Sequence, residues 1–100
     1  MREYELYLVL DAEAEEEEVE AILERVNQLV GVGDGEASGE VTKVDARGKR
    51  RLAYPIKKKR ESHDFVLTLN TSPQALPEIE RFLKLEEQVL RYLLVRTDVK

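Results

Sequence analysis

Glu3-Tyr4-Glu5-Leu6-Tyr7-Leu8-Val9-Leu10 alternates with period two, and the change of period that follows it decides the fold. Tyr4, Leu6, Leu8 and Leu10 point one way; Glu3, Glu5, Tyr7 and Val9 point the other, as in a half-buried strand. From about Ala14 the apolar residues Val19, Ile22, Leu23, Val26, Leu29 and Val30 recur at helical spacing. Glu15 to Glu18 occupy the first turns, where the helix dipole favours anions, so this acidic run reads as a helix start rather than a metal site. Gly31 and Gly33 are expected to stop the helix.

Working outward, Gly31 to Gly39 reads as a turn-rich connector. Val41 and Val44 begin a second strand, irregular near Gly48, which resumes through Arg51-Leu52-Ala53-Tyr54-Pro55-Ile56. Gly48 suits a bulge, and Pro55, lacking a ladder donor, places this strand at a sheet edge. Lys57 to Ser62 reads as a polar hairpin loop. Phe65, Leu67 and Leu69 alternate as a third strand. Ser72-Pro73 is an N-cap followed by proline at the first helical position, and Leu76, Ile79, Phe82 and Leu83 form a second helical stripe. Val89 to Arg96 is a fourth strand.

The order βαββαβ, with right-handed crossovers, predicts an α+β ferredoxin-like sandwich. Its four-stranded antiparallel sheet has order 4-1-3-2, with both helices on one face. If Leu90, Tyr92 and Leu94 face the helices, Arg91, Leu93 and Val95 share the open face with Glu3, Glu5, Tyr7 and Val9. The opposite register is also open, since both sides of the fourth strand are apolar. A strand apolar on both sides, under helices on one side only, points to a covered open face.

The 100 residues support a single domain spanning 1–100. With no cysteine there is no disulfide framework or thiolate metal site. The longest apolar run, Leu6 to Leu10, is about a quarter of the roughly 20 residues a membrane helix needs, and Met1 to Glu5 is too charged to begin a secretory signal. A soluble cytoplasmic protein is expected. Its formal charge of −5 hides a segregation. Residues 1–46 carry 14 acids and 3 bases, a net −11. Residues 47–60 carry no acid and 8 bases: Arg47, Lys49, Arg50, Arg51, Lys57, Lys58, Lys59 and Arg60. Such a block is either a solvated basic hairpin balancing an acidic helix or a phosphate-binding surface, since charge acts over about 8 Å at physiological salt.

Met1-Arg2-Glu3-Tyr4-Glu5 with Leu8-Val9-Leu10, the central Gly48-Lys49-Arg50-Arg51-Leu52-Ala53-Tyr54-Pro55-Ile56-Lys57-Lys58, and the late Val89-Leu90-Arg91-Tyr92-Leu93-Leu94-Val95 resemble the bacterial family of sixth small-subunit ribosomal proteins. The resemblance covers nearly the whole chain, and the central stretch is its specific part. It implies a βαββαβ sandwich that binds small-subunit ribosomal RNA as a heterodimer with the eighteenth small-subunit protein, without enzymatic activity. Two departures stand out. His63-Asp64-Phe65 replaces the glycine and aromatic common before the third strand, and a longer tail found in some relatives is not matched beyond Asp98.

On this reading Arg2, Arg47, Lys49, Arg51, Lys57, Lys58, Lys59, Arg60, Arg91 and Arg96 are candidates for RNA contact. Tyr7, Arg50, Tyr54 and Leu93 are candidates for the protein partner. Arg50 and Arg51 are adjacent on a strand and point to opposite faces. For Arg91 the competing reading is a cross-strand pair with Glu3 or Glu5. Tyr7 stacks on a base or fills a partner's pocket, although the lysine/arginine-glycine-aromatic signature of related RNA-stacking sheets is lacking. His63, the single histidine, makes neither a triad nor a metal site. No metal, cofactor, small-molecule substrate or membrane partner is expected. Two other classes share the fold: a small-molecule regulatory module, and an acylphosphatase-like hydrolase. The hydrolase needs a glycine-rich anion loop after the first strand, where this chain has Asp11-Ala12-Glu13-Ala14-Glu15.

Overall fold

The computed structural model describes residues 2–31 and 39–97. The elements are β1 (Arg2–Asp11), α1 (Glu16–Val30), β2 (Glu40–Ile56) and β3 (Lys59–Thr71). A short 3-10 turn (Pro73–Ala75) then leads into α2 (Leu76–Leu85), and β4 (Val89–Arg96) completes the chain. One antiparallel sheet has the order β2-β3-β1-β4, the expected order read from its other edge.

β1 lies between β3 and β4, and its alternation becomes burial. Tyr4, Leu6, Leu8 and Leu10 enter the core with Phe65, Leu67 and Leu69 of β3. From the helices come Val19, Ile22, Val26, Leu29 and Val30 of α1 and Ile79 and Leu83 of α2, so both helices cover the same face. Leu6, Leu8, Leu10, Leu67 and Leu69 have no exposed surface, and each buried aliphatic side chain stabilises by roughly 1.5–3 kcal/mol before entropy is counted.

α1 begins after Glu15, whose backbone N–H donates to Glu18 Oε1 at 2.9 Å. It ends at Gly31, but in the right-handed region (φ −83°, ψ −9°) rather than the left-handed one that a glycine stop implies. Gly33 and the interior of the connector lie outside the described residues. Ser72 precedes the second helical segment as expected. Its side chain makes no capping bond, and its carbonyl accepts from Ala75 N–H at 3.1 Å instead.

The second strand is continuous from Glu40 to Ile56, with register shifts near Val41/Lys43, Ala46/Gly48 and Arg51/Ile56. At about 3.3 Å per residue its 17 residues would outrun the molecule's longest dimension of 41 Å. The shifts bend it. Gly48, at φ +84°, supplies one of these bends. At another, Leu52, Ala53, Tyr54 and Pro55 stand against Arg60 alone, so the missing N–H of Pro55 leaves no ladder bond unmade.

The polar loop expected at Lys57 to Ser62 is a two-residue turn, Lys57-Lys58, and β3 begins at Lys59 rather than near Phe65. Both turn residues have positive φ, 50° and 69°. That is the mirror-image turn whose twist suits a hairpin, although left-handed backbone costs an L-residue about 1–2 kcal/mol.

On β4, Leu93 opposes Tyr7 and Val95 opposes Glu5, while Tyr92 and Leu94 pack against the core. This is the first of the two registers considered, except at Leu90. A shift between Val9 and Leu10 sets Val89 opposite Leu10 and Arg91 opposite Val9. Val89 therefore takes the core position, and Leu90, though buried, is the extra residue of the irregularity.

Gly39 sits where α1, β2 and β3 converge. Thr71 Oγ1 donates to Val30 O at 2.8 Å, and a Cβ on Gly39 would meet Val30 O, Asn70 O and Thr71 Oγ1, all below contact distance. Gly39→Ala should therefore cost at least the roughly 1–3 kcal/mol of an overpacked site. Gly48→Ala meets no atom within 4 Å and bears only backbone strain. Urea unfolding should rank Gly39→Ala as the more damaging change; the reverse order would refute the close-approach account.

Candidate functional site

Residues directly opposed in an antiparallel pair share a side of the sheet. Along β1, Tyr7 and Val9 face away from the helices, and with them come Val66 and Asp64 of β3 and Leu93 and Arg91 of β4. The bent end of β2 curls across this open face. Its Tyr54 hydroxyl accepts a bond from Arg91 Nη1 at 3.4 Å, although β2 and β4 are opposite edges of the sheet. Beneath the curl lies a cleft of about 240 Å³ lined in part by Val9, Leu52, Tyr54, Ile56, Arg50 and Arg91. Beside it, Tyr7 (41%), Leu93 (57%), Val95 (42%) and Tyr54 (57%) are exposed. Four large side chains on one face and its overhanging arm form an apolar patch rather than scattered surface residues.

Arg50 is held from below. Its Nε lies 2.6 Å from Asp64 Oδ2, and Asp64 Oδ1 accepts the Ser62 hydroxyl at 2.7 Å. Ser62 is fully buried and Asp64 nearly so, which makes this the polar anchor of the open face. The residues signalled it only as a departure from the family pattern. A carboxylate at an alternation position shared with Val66, facing Arg50 across the hairpin, is the sign that identifies it. Neighbouring His63 points to the other side, its ring centroid 4.4 Å from that of Phe65.

The candidate cations divide into groups. Arg51 opposes Glu61 and borders the cleft beneath the curl, and Lys49 opposes His63. Arg47 pairs with Asp45 at 3.0 Å. At the tip, Lys57 Nζ donates to Val89 O at 2.9 Å. Lys59 Nζ lies 3.2 Å from both Asp11 Oδ2 and Glu13 Oε2. These acids, Asp11 first, hold the Lys59 ammonium above the ordinary lysine range. Lys58 and Arg60 are exposed, with no carboxylate at ion-pair distance among the described residues. Arg91 bonds Tyr54 and opposes Val9, rather than pairing with Glu3 or Glu5. Arg2 and Arg96 stand at the other end of β1, opposite Thr71 and Tyr4. β1 itself is about 30 Å long by strand rise, and the hairpin tip lies beyond its opposite end.

Among the described residues no cluster of three His, Asp or Glu is placed to hold a metal, and no helix is long and apolar enough to cross a membrane. Asp64→Ala would strand the buried Ser62 hydroxyl and should cost about 1–3 kcal/mol. Arg50→Met leaves the nearly buried Asp64 carboxylate without its cation and should cost a comparable amount, about 1–3 kcal/mol. Urea midpoints check this: both variants should unfold earlier than the unaltered chain, and a midpoint unchanged by Asp64→Ala would count against Asp64 as the anchor.

Residues 3–96 match the family described as Ribosomal protein S6. Small ribosomal subunit protein bS6 of Acidothermus cellulolyticus is 45% identical over 100 residues, the full length of both chains. The protein of the same name from Caldanaerobacter subterraneus subsp. tengcongensis is 43% identical over 98 residues, or 98% of this chain and 99% of that one. The crystal structure of 30S ribosomal protein S6 from Thermotoga maritima superposes with a TM-score of 0.82 at 30% identity. It covers 96% of this chain and 87% of that one.

Proposed function

Because the chain belongs to the ribosomal protein S6 family, and so to the small ribosomal subunit, we propose that it binds small-subunit ribosomal RNA jointly with the eighteenth small-subunit protein. Its work on this reading is structural, not catalytic, and is done on the ribosome in the cytoplasm. The observation that carries it is the pairing of two surfaces of different chemistry around one arm. The apolar patch of Tyr7, Leu93, Val95 and Tyr54 adjoins a hairpin whose residues 47–60 hold 8 bases and no acid.

The patch docks the protein partner, with Arg50 fixed by Asp64 at its border. Arginine's planar fork suits such a place, since it can take a second acceptor while one edge is occupied. The acidic field of residues 1–46 draws a basic partner towards the same molecule and speeds encounter. The hairpin cations and Arg91 then lie against phosphates at one end of the sheet, with Arg2 and Arg96 serving at the other. Contacts of this kind position a protein on RNA without reading sequence. Two linked proteins engaging one RNA gain affinity because the second contact becomes intramolecular. An acidic protein can thus sit in an RNA particle when its partner supplies much of the phosphate neutralisation.

Titrating small-subunit RNA with and without the eighteenth protein, over a series of salt concentrations, tests this. Binding should be much tighter with the partner present and should weaken steeply with salt. Tyr7→Ala and Leu93→Ala should weaken the protein pairing about tenfold or more, as central anchors do. Equal RNA affinity with and without the partner would overturn the joint mechanism.

A further inference from the structure

The hairpin tip carries four consecutive cations, Lys57, Lys58, Lys59 and Arg60, which a charge count treats alike. Their side chains do different things. Lys57 spends a donor on the carbonyl of Val89 at the start of β4. Lys59 is gripped by Asp11 at the end of β1 and by Glu13 in the turn that follows. Asp11 is a built acceptor. Its side chain is only 13% exposed, its Oδ2 takes Lys59, and its Oδ1 takes the backbone N–H of Glu13 at 2.9 Å. Its own N–H donates to Gln88 O at 2.9 Å. The tip is thereby tied to two places in the body of the fold, around a turn whose two lysines sit in left-handed backbone that they do not favour alone.

We propose that Asp11, assisted by Glu13, is a positioning residue that clamps the hairpin tip through Lys59, so that Lys58 and Arg60 alone at the tip meet phosphate. The inference rests on the RNA-binding role proposed above and assigns that role unevenly. Lys57 and Lys59 fasten the tip; Lys58 and Arg60 are presented from it. Fastening has a cost in charge, because it sets two carboxylates beside a phosphate-facing surface. The return is entropic, since side chains fixed beforehand lose less freedom when RNA arrives. The sign of the effect therefore opposes simple electrostatics. Removing the Asp11 charge should weaken RNA binding, whereas an acid that only repels phosphate would strengthen binding when removed.

The test uses the chain paired with the eighteenth small-subunit protein, RNA affinities over a salt series, and nitrogen-15 relaxation of the tip amides in the free chain. Asp11→Asn keeps an oxygen for Glu13 N–H and loses the ion pair; Lys59→Met breaks the same clamp from the other side. Both should increase motion at residues 57–60 and lower RNA affinity about three- to tenfold. Both should leave the salt slope unchanged, because no phosphate contact is lost. Lys58→Ala should flatten the slope by about 0.7–0.9, as loss of one phosphate contact does. Glu17→Gln, which removes an equal charge from the first turn of α1, should leave affinity the same or raise it. The proposal is overturned if Asp11→Asn binds RNA as tightly as the unaltered chain or more tightly, or if Lys59→Met flattens the slope as much as Lys58→Ala. Should the unaltered pair bind no RNA, the functional reading fails, and relaxation alone decides the clamp: a tip loosened by Asp11→Asn supports it, and one equally mobile in both chains overturns it.

Discussion

A sheet with both helices on one side leaves its other side to water, and most of this molecule's features answer that asymmetry. The helix-covered face is settled by Leu6, Leu8, Leu10, Leu67 and Leu69, which close against α1 and α2. The open face is settled in two stages. β2 is long enough to bend back, and its curl shelters Val9 and brings Tyr54 to Arg91. What the arm does not cover, Tyr7, Leu93 and Val95, is left exposed.

The same bend explains how opposite charges coexist in one small domain. The basic block does not float apart from the acidic half. Arg50 rests on Asp64, and Lys59 rests on Asp11 and Glu13, so part of the positive charge is neutralised within the fold. In the Asp64 and Asp11 pairs an exposed cation compensates a shielded carboxylate, which would otherwise be left as an unpaired charge. Asp64 and Asp11 matter through placement, because each is shielded and each holds a cation at a set point on the arm.

Much of this was legible in the residues. Period two in Glu3 to Leu10, period 3.6 in Val19 to Val30 and the edge mark of Pro55 led to the sheet order and the helix-covered face. The family resemblance led to the arm and patch as the surfaces of interest. The misses share a cause, which is that tertiary contact overrode local chemistry. Lys57-Lys58 carries no asparagine or glycine, so its mirror-image turn could not be read from turn preferences. Ser62 falls in the stretch that reads as a polar loop, yet it and Asp64 are buried strand residues because the arm covers them. Val89 displaced Leu90 from the core through one extra residue, which hydrophobicity cannot distinguish when both candidates are aliphatic. Whether a lysine in a basic run faces solvent or a carboxylate is likewise set by its spatial neighbours, and Asp11 is 48 positions from Lys59 in sequence.

The two borders of the sheet differ in what they offer to a stray extended chain. Along β2 the ladder is broken by three register shifts, a glycine, a proline and a series of cations, none of which a second strand could follow. β4 is the opposite case: eight residues at the sheet's other border, regular from Arg91 onward, with its Leu93 and Val95 uncovered. Resistance to aggregation is thus built into one side of the molecule and largely left out of the other. A free copy awaiting assembly carries its hazard at β4, on the strand that also contributes Leu93 and Val95 to the apolar patch.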